Sequence, residues 1–145
     1  MDTCSRQVGL GITQGLSNEV IVSGIYGKEA MFDCYECEVG TFNRGSLRKF
    51  FTRLVRLLGM EKGDLHFWDD VGVPASQRQT RVETTGTSAV QFILTSNITV
   101  HCLDKLGRVY VNVFSCRDFK TGVARKFIQD WFGAGSVRTH EVYRR

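Results

Sequence analysis

Three residues with reactive side chains lie on two neighbouring apolar stretches of the chain. Ser96 and His101 belong to the segment TSNITVH at residues 95–101, and Cys116 ends the next apolar stretch. A serine hydroxyl is a nucleophile, an imidazole titrates near neutral pH, and a thiol can supply a proton. With these groups a chain could cut its own backbone at the serine and convert that serine into a reactive carbonyl group.

The chemistry open to Ser96 begins with its hydroxyl and the carbonyl of Thr95. Attack on that carbonyl replaces the amide with an ester, and a base that removes the serine α-proton then eliminates the ester. The resulting dehydroalanine hydrolyses to a pyruvoyl group at the new N-terminus. His101 suits the role of base, because the pKa of an imidazole lies near neutrality. The pyruvoyl ketone can form a Schiff base with a substrate amine during decarboxylation, and the Cys116 thiol can then return a proton.

An antiparallel hairpin of residues 98–103 and 108–116, turning at residues 104–107, would bring these groups together. Opposed residues share a face of the sheet, and the faces alternate along each strand. One face is then apolar and contains Ile98, Val100, Cys102, Val109, Val111 and Val113. The other face is polar and aromatic and contains Asn97, Thr99, His101, Tyr110, Asn112, Phe114 and Cys116. Ser96 is expected beside Cys116 at the open end of the hairpin.

Two segments have the apolar periodicity of helices. The first has Ser46 as its expected N-cap and Gly59 at its end. Its apolar stripe consists of Leu47, Phe50, Phe51, Leu54, Val55 and Leu58. The second helix is expected at residues 121–132 and ends at Gly133. Its buried side is expected to hold Val123, Phe127, Ile128 and Trp131.

The order of elements predicts an α/β fold with two layers. Two helices with one apolar stripe each cover a single face of a sheet, which predicts a two-layer α/β sandwich with a mainly antiparallel sheet. The other sheet face is left for a site or a partner. The element order is β-α-β-β-β-α-β, with strands expected at residues 29–37, 88–94, 98–103, 108–116 and 137–143.

Two polar segments lie outside this pattern. Residues 1–26 are rich in Gly, Ser, Thr and Gln and are interpreted as an N-terminal arm or an extra edge strand. Residues 69–87 form a polar connection of a length that is unusual in a compact domain, so we interpret it as mobile or functional.

Length and composition indicate one ordinary globular domain. A chain of 145 residues, 42% hydrophobic and 23% charged, has room for one core. A net charge of +4 is mild, so no nucleic-acid partner is expected. No apolar stretch approaches the ~18 residues of a membrane span, and the N-terminus lacks the pattern of a signal peptide. We therefore expect a cytoplasmic protein without membrane contact.

The five cysteines do not indicate a metal or redox site. Cys34-x-x-Cys37 has the spacing of a redox pair, but two residues three apart on one strand point to opposite faces. The cysteines and histidines also lack the paired short spacings of zinc sites, so no metal is expected.

The motifs around the serine resemble those of the small bacterial and archaeal S-adenosylmethionine decarboxylases. The family segment E-S-H-[IL]-[ST]-[IV]-H-T-[WY]-P-E corresponds to TSNITVHCLDK at residues 95–105, and a later family strand ending [FV]-[ST]-C corresponds to FSC at residues 114–116. The stretch GTSAV at residues 86–90 is similar to the family's G-x-S-G-V. Residues 27–37 resemble its first strand, which runs from G-[RK]-H to Y-x-C. The resemblance predicts a domain of this type over residues 27–145.

This resemblance implies a pyruvoyl-dependent enzyme made from a self-processing proenzyme. Cleavage between Thr95 and Ser96 would make Ser96 the source of the pyruvoyl cofactor. Ser88 and His101 would assist this processing, and Cys116 would donate the proton during turnover. The family fold pairs into dimers, so the expected assembly is a homodimer of cleaved two-chain protomers.

The substrate is the point at which the chain departs from the family pattern. Leu-Asp-Lys at residues 103–105 stands where the family has an aromatic residue for adenine, a proline, and a glutamate for the ribose. Thr95 also replaces the glutamate usual in the small family members. S-adenosylmethionine, for spermidine and polyamine biosynthesis, is the expected substrate. The alternatives are arginine or ornithine on the same fold, and a non-cleaving regulatory or partner subunit. Substrate contacts are expected from Glu36, Asn112 and Phe114.

Overall fold

The computed structural model describes residues 24–145, so most of the predicted N-terminal arm lies outside the described residues. Within them the chain forms six strands and two α-helices. The strands are β1 (Gly27–Tyr35), β2 (Lys62–Trp68), β3 (Gly86–Ile93), β4 (Ser96–Leu103), β5 (Arg108–Ser115) and β6 (Ser136–Arg144). The helices are α1 (Arg44–Leu57) and α2 (Thr121–Phe132). Neither helix has the length and apolar character needed to span a membrane.

All six strands belong to one antiparallel sheet, in the spatial order β2-β3-β4-β5-β1-β6. Both helices contribute buried residues to the same core, which lies on one face of this sheet. The predicted two-layer α/β sandwich is therefore confirmed. The opposite sheet face, which we call the open face, has no layer packed on it within residues 24–145.

The register of the β4–β5 hairpin is the one that the alternation of residue types predicts. Asn97 lies opposite Phe114, and His101 lies opposite Tyr110. The apolar face of this hairpin is at most 1% exposed and contains Ile98, Val100, Cys102, Val109, Val111 and Val113. Burial of one such aliphatic side chain stabilises the fold by about 1.5–3 kcal/mol, so the hairpin is held firmly against the helices.

The helices differ from their predicted forms in two details. The N-cap of α1 is Asn43, whose side chain accepts a hydrogen bond from the Ser46 backbone N–H at 2.9 Å, so the prediction of Ser46 as N-cap was wrong. The glycine that follows α1, Gly59, has a φ of +66° as expected for a helix stop. Helix α2 has the predicted bounds. However, Val123 is 40% exposed, because the buried side of α2 is centred on Ala124, Ile128 and Phe132.

Strand β2 was absent from the predicted order. It begins with the polar sequence Lys62-Gly63-Asp64, lies at the edge of the sheet and has an irregular register against β3. The buried Gln91 side chain bridges this irregularity, because its Nε2 donates to the carbonyls of Gly63 and Asp64 at 2.9 and 3.2 Å. Pairing with β3, rather than an apolar pattern of its own, therefore makes this segment a strand.

The polar connection after β2 is tied down by hydrogen bonds. Both carboxylate oxygens of Asp69 contact the Arg44 guanidinium, at 2.7 and 2.6 Å, and this contact lowers the pKa of Asp69. The side chain of Asp70 accepts from the Gln79 backbone N–H at 2.8 Å. Lys105 donates to the carbonyl of Thr80, so the β4–β5 turn anchors the far part of the connection.

Candidate active site

The turn between β3 and β4 has an unusual backbone at Thr95. The turn contains only Leu94 and Thr95, because Ile93 already pairs with Ser96. Thr95 has a φ of +57°, in the left-handed region that β-branched residues rarely occupy. The β4–β5 turn reaches the same φ of +57° with a glycine, Gly107. A conformation of this kind costs of order 1–3 kcal/mol, and here it lies directly before Ser96.

Ser96 and Cys116 lie together below this turn. Ser96 is 3% exposed, and its Oγ accepts a hydrogen bond from the Cys116 backbone N–H at 3.3 Å. The sulfur of Cys116 is 4.0 Å from Ser96 Oγ and 3.8 Å from Thr95 Oγ1. Cys116 is itself disulfide-bonded in the structure. The hairpin register thus brings the predicted serine and cysteine together at a buried position beneath the turn.

The beginning of β1 packs behind Cys116 and limits its position. A Cβ atom on Gly27 would lie 2.5 Å from the carbonyl oxygen of Ser115 and 3.0 Å from the Cα of Cys116. Only glycine therefore allows β1 to approach this closely. The glycine with which the family's first strand begins was the sequence signal for this close approach at Gly27.

Lys28 anchors the chain that follows Cys116, a role that its residue type did not indicate. Its side chain is 7% exposed, and its Nζ donates to the carbonyl of Phe119 at 2.5 Å. The same Nζ lies 3.1 Å from the Asp118 carboxylate and 4.0 Å from that of Glu141. A lysine on a strand is usually exposed, so its burial could not be expected from residue type alone.

Ser88 and His101 form a second pair elsewhere on the sheet. They lie opposite each other on β3 and β4, and Ser88 Oγ is 2.9 Å from His101 Nδ1. Both face the open side of the sheet, where His101 is exposed. Trp68 pairs with Ser88 from β2 and is 82% exposed. The Ser88–His101 pair is therefore accessible from outside the protomer.

The two pairs are separated within one chain. Ser96 and His101 are five residues apart on β4, which corresponds to about 17 Å along a strand. They also face opposite sides, since Ser96 shares the buried face with Ile98 and His101 lies on the open face. The predicted residues thus form one group of Thr95, Ser96 and Cys116, and another of Ser88 and His101.

The three predicted substrate-binding residues also lie in separate parts of the sheet. Phe114 lies on the open face next to Ser115, where its ring stacks with Tyr26 at 6.5 Å and lies 5.8 Å from the Arg144 guanidinium. Asn112 is one step further along the same face of β5. Glu36 follows the other end of β1, about 26 Å along the strand from Lys28. Phe114 is therefore at the Ser96 end of the sheet, on the face opposite the Ser96 side chain, whereas Glu36 is at the other end.

The sequence at residues 103–105, where the chain departs from the family pattern, lies at the end of β4 that is remote from Ser96. Burial raises the pKa of Asp104 above its ordinary value. Its backbone N–H donates to the carbonyl of Thr85 at 3.0 Å. Within residues 24–145, no group of three or more His, Cys, Asp and Glu side chains is placed to hold a metal ion.

A model of the S-adenosylmethionine decarboxylase family matches residues 28–145, which is most of the chain. The chain belongs to this family. Among solved structures it is similar to the adenosylmethionine decarboxylase from Aquifex aeolicus VF5, with a TM-score of 0.65 and 17% sequence identity. The similarity covers 83% of this chain and 91% of that chain. At this level of identity the likeness concerns the fold. No curated protein matches the sequence significantly.

Membership in the S-adenosylmethionine decarboxylase family fits the architecture of the site. The family implies a carboxy-lyase that acts on a small molecule. The buried Ser96–Cys116 pair provides a nucleophile and a sulfur side by side, and the Ser88–His101 pair provides a hydroxyl and an imidazole in hydrogen-bonding contact. The family motifs indicated these four residues, and the structure places them in two separate pairs.

We predict that Gly27→Ala lowers the free energy of unfolding by about 1–3 kcal/mol, because the added methyl group must displace the Ser115 carbonyl. Urea denaturation measures this change. Gly122→Ala is the matched control, since a Cβ there has no neighbour within 4 Å and the residue lies in α2. That control should be as stable as the unmodified protein or more stable, by up to about 1 kcal/mol. Equal stability of the Gly27→Ala protein and the unmodified protein would contradict the close packing behind Cys116.

Proposed function

We propose that this chain is a self-processing, pyruvoyl-dependent S-adenosylmethionine decarboxylase. The observation that carries the proposal is the left-handed Thr95 immediately before a buried Ser96 whose hydroxyl is held beside Cys116. A strained non-glycine residue survives in a fold only where its surroundings impose it, and such residues cluster at functional sites. Family membership supplies the type of reaction.

The processing step uses groups that already lie in place. Ser96 Oγ attacks the carbonyl carbon of Thr95, the nitrogen of Ser96 leaves that carbon, and an ester links the two residues. Departure from the amide geometry can release the backbone strain at Thr95, which favours the attack. The Cys116 N–H, at 3.3 Å, holds the hydroxyl oxygen in one orientation. Removal of the Ser96 α-proton then breaks the ester, and hydrolysis leaves a ketone at residue 96 and releases ammonia.

If His101 is the base that removes the Ser96 α-proton, it must belong to a second copy of this chain. Within one protomer about 17 Å of strand separates His101 from Ser96, and the two residues face opposite sides of the sheet. We therefore propose that Ser88 and His101 serve the Ser96 site of a second protomer. Trp68 and Phe92, 82% and 48% exposed on the open face, support a homodimer through this face.

The surroundings of Ser96 fit a pyruvoyl group, because the residue is buried and the Cys116 N–H and sulfur lie beside its side chain. Such a group supplies a ketone that condenses with the substrate amine and withdraws electrons as carbon dioxide leaves. The Cys116 sulfur lies 4.0 Å from Ser96 Oγ. As a thiol, Cys116 can return a proton to the product.

An aromatic surface near Ser96 supports S-adenosylmethionine as the substrate. The stacked rings of Tyr26 and Phe114 lie at the Ser96 end of β5, and both residues have accessible surface. Aromatic faces bind a flat adenine and attract the positive charge of a sulfonium.

The direct test of the function is carbon dioxide release from carboxyl-labelled substrates in a reducing buffer. We expect release from S-adenosylmethionine, little from arginine or ornithine, and background values for Ser96→Ala. Faster release from arginine or ornithine would overturn the substrate assignment. No release from any of the three would overturn the decarboxylase function.

The shared site predicts complementation between two variants. Alone, His101→Ala should remain uncut because every site lacks the base, and Ser96→Ala should remain uncut because it lacks the nucleophile. Co-expressed with different tags, they form a heterodimer in which one site has both groups. We expect cleavage of the His101→Ala chain in that heterodimer, seen as a shorter tagged fragment on a gel. An intact His101→Ala chain in a purified heterodimer would contradict the shared site, as would failure of the two variants to associate.

A further inference from the structure

The end of β1 carries two cysteines whose arrangement the sequence pattern did not predict. If Cys34 and Cys37 both lay on a strand, their side chains would point to opposite faces. That prediction was wrong, because β1 ends at Tyr35 and the next residue, Glu36, has a φ of +54°. This left-handed residue reverses the chain, so the Cys37 side chain packs against the same hydrophobic core that contains Cys34.

The turn that makes this contact is held from both sides. The Cys37 backbone N–H donates to the carbonyl of Gly107 in the β4–β5 turn, at 2.9 Å. The Glu38 N–H donates to the carbonyl of Phe132 at the end of α2, at 2.8 Å. The carbonyl of Tyr35 accepts from the Gly135 N–H at 3.0 Å. Since these three hydrogen bonds fix the turn, the fold holds Cys37 against the core beside Cys34.

The two thiols are in different surroundings. Cys34 is 0% exposed, whereas Cys37 is partly accessible to solvent. Hydrogen bonds from the Cys34 thiol and from the Val109 backbone lower the pKa of Cys37. Contact with Cys37, followed by burial, raises the pKa of Cys34. An accessible thiol with a lowered pKa, beside a buried thiol with a raised pKa, is the asymmetry found in Cys-x-x-Cys redox pairs.

We propose that Cys34 and Cys37 form a redox-active dithiol that exchanges with low-molecular-mass disulfides such as glutathione disulfide. The Cys37 thiolate attacks one sulfur of that disulfide, forms a mixed disulfide and releases one glutathione thiolate. The Cys34 thiol gives up its proton and attacks the Cys37 sulfur, which forms the Cys34–Cys37 disulfide and releases the second glutathione. The two cysteines lose two electrons, and glutathione disulfide gains them.

A metal-binding role is less consistent with the same residues. Cys102 is a third cysteine nearby, since it pairs with Val109 on β5 and Val109 pairs with Cys34 on β1. However, no set of three His, Cys, Asp or Glu side chains in the described part of the chain has the arrangement of a metal site. Burial raises the pKa of Cys102, so this thiol is a poor nucleophile and is not expected to take part in the exchange.

The dithiol is separate from the proposed decarboxylase site. Lys28 lies opposite Ser115 at one end of β1, and Cys34 lies about 20 Å further along that strand. The inference therefore goes beyond the proposed function and does not depend on it. The two proposals can fail independently, because oxidation of the cysteine pair is measured on a tryptic peptide that does not include the Thr95–Ser96 bond.

The test uses the full-length protein, reduced, freed of reductant and incubated with glutathione disulfide. After the remaining thiols are alkylated under denaturing conditions, trypsin releases residues 29–44, which contain Cys34 and Cys37 and no other cysteine. We expect this peptide to lose the mass of two hydrogen atoms and to carry no alkyl group, and dithiothreitol to reverse the change. A peptide 29–44 that remains fully alkylated under conditions that oxidise free cysteine would overturn the proposal without any variant.

Three variants assign the roles of the thiols. Cys34→Ser should trap the mixed disulfide, so peptide 29–44 gains the mass of one glutathione on Cys37. Cys37→Ser should gain none, because Cys34 is buried. Cys102→Ser, the control, should oxidise as the unmodified protein does. Glutathione found on Cys34 in the Cys37→Ser protein, or loss of oxidation in the Cys102→Ser protein, would contradict the assigned roles. Circular dichroism of each variant shows that it is folded.

Discussion

The alternation of side chains along β4 is the constraint on which the site depends. Even-numbered residues of β4 face the helices, and odd-numbered residues face outward. Pairing with β3 and with β5 holds this strand in one register, and a slip of one residue would expose the whole apolar set. The same constraint buries Ser96 next to Cys116 and places His101 outside. In the proposed function, this strand therefore supplies the nucleophile to its own site and the imidazole to a surface that a second copy can reach.

Two hairpin turns with the same backbone angle show where the chain departs from ordinary folding rules. Gly107 takes a φ of +57° at little cost, whereas Thr95 takes the same angle with a branched side chain. A sequence that can use glycine in one turn has no structural reason to use threonine in the other. Local rules are broken at functional sites, and the stability lost there is supplied by the packed core beneath the hairpin.

Much of the fold follows from the sequence, because its apolar residues recur with the periods of strands (two residues) and of helices (3.6 residues). The β4–β5 register and the bounds of α2 were predicted from such periods. Strand β2 was not, since its polar residues become a strand only through pairing with β3. The position of Cys37 beside the core that contains Cys34 depends on the left-handed conformation of Glu36, which its residue type does not predict. The Ser96–Cys116 pair was predicted from the hairpin register, whereas the contact between Ser88 and His101 and the buried Lys28 behind the first pair were not.

The central claim is that the chain converts Ser96 into a carbonyl group by cutting before it. The intact mass of the purified, reduced protein tests this claim most directly. The account predicts two chains, residues 1–95 and residues 96–145, with a pyruvoyl group in place of the serine at the start of the second. The Ser96→Ala protein should remain a single chain. A single chain of full length for the unmodified protein, unchanged on prolonged incubation, would contradict the account.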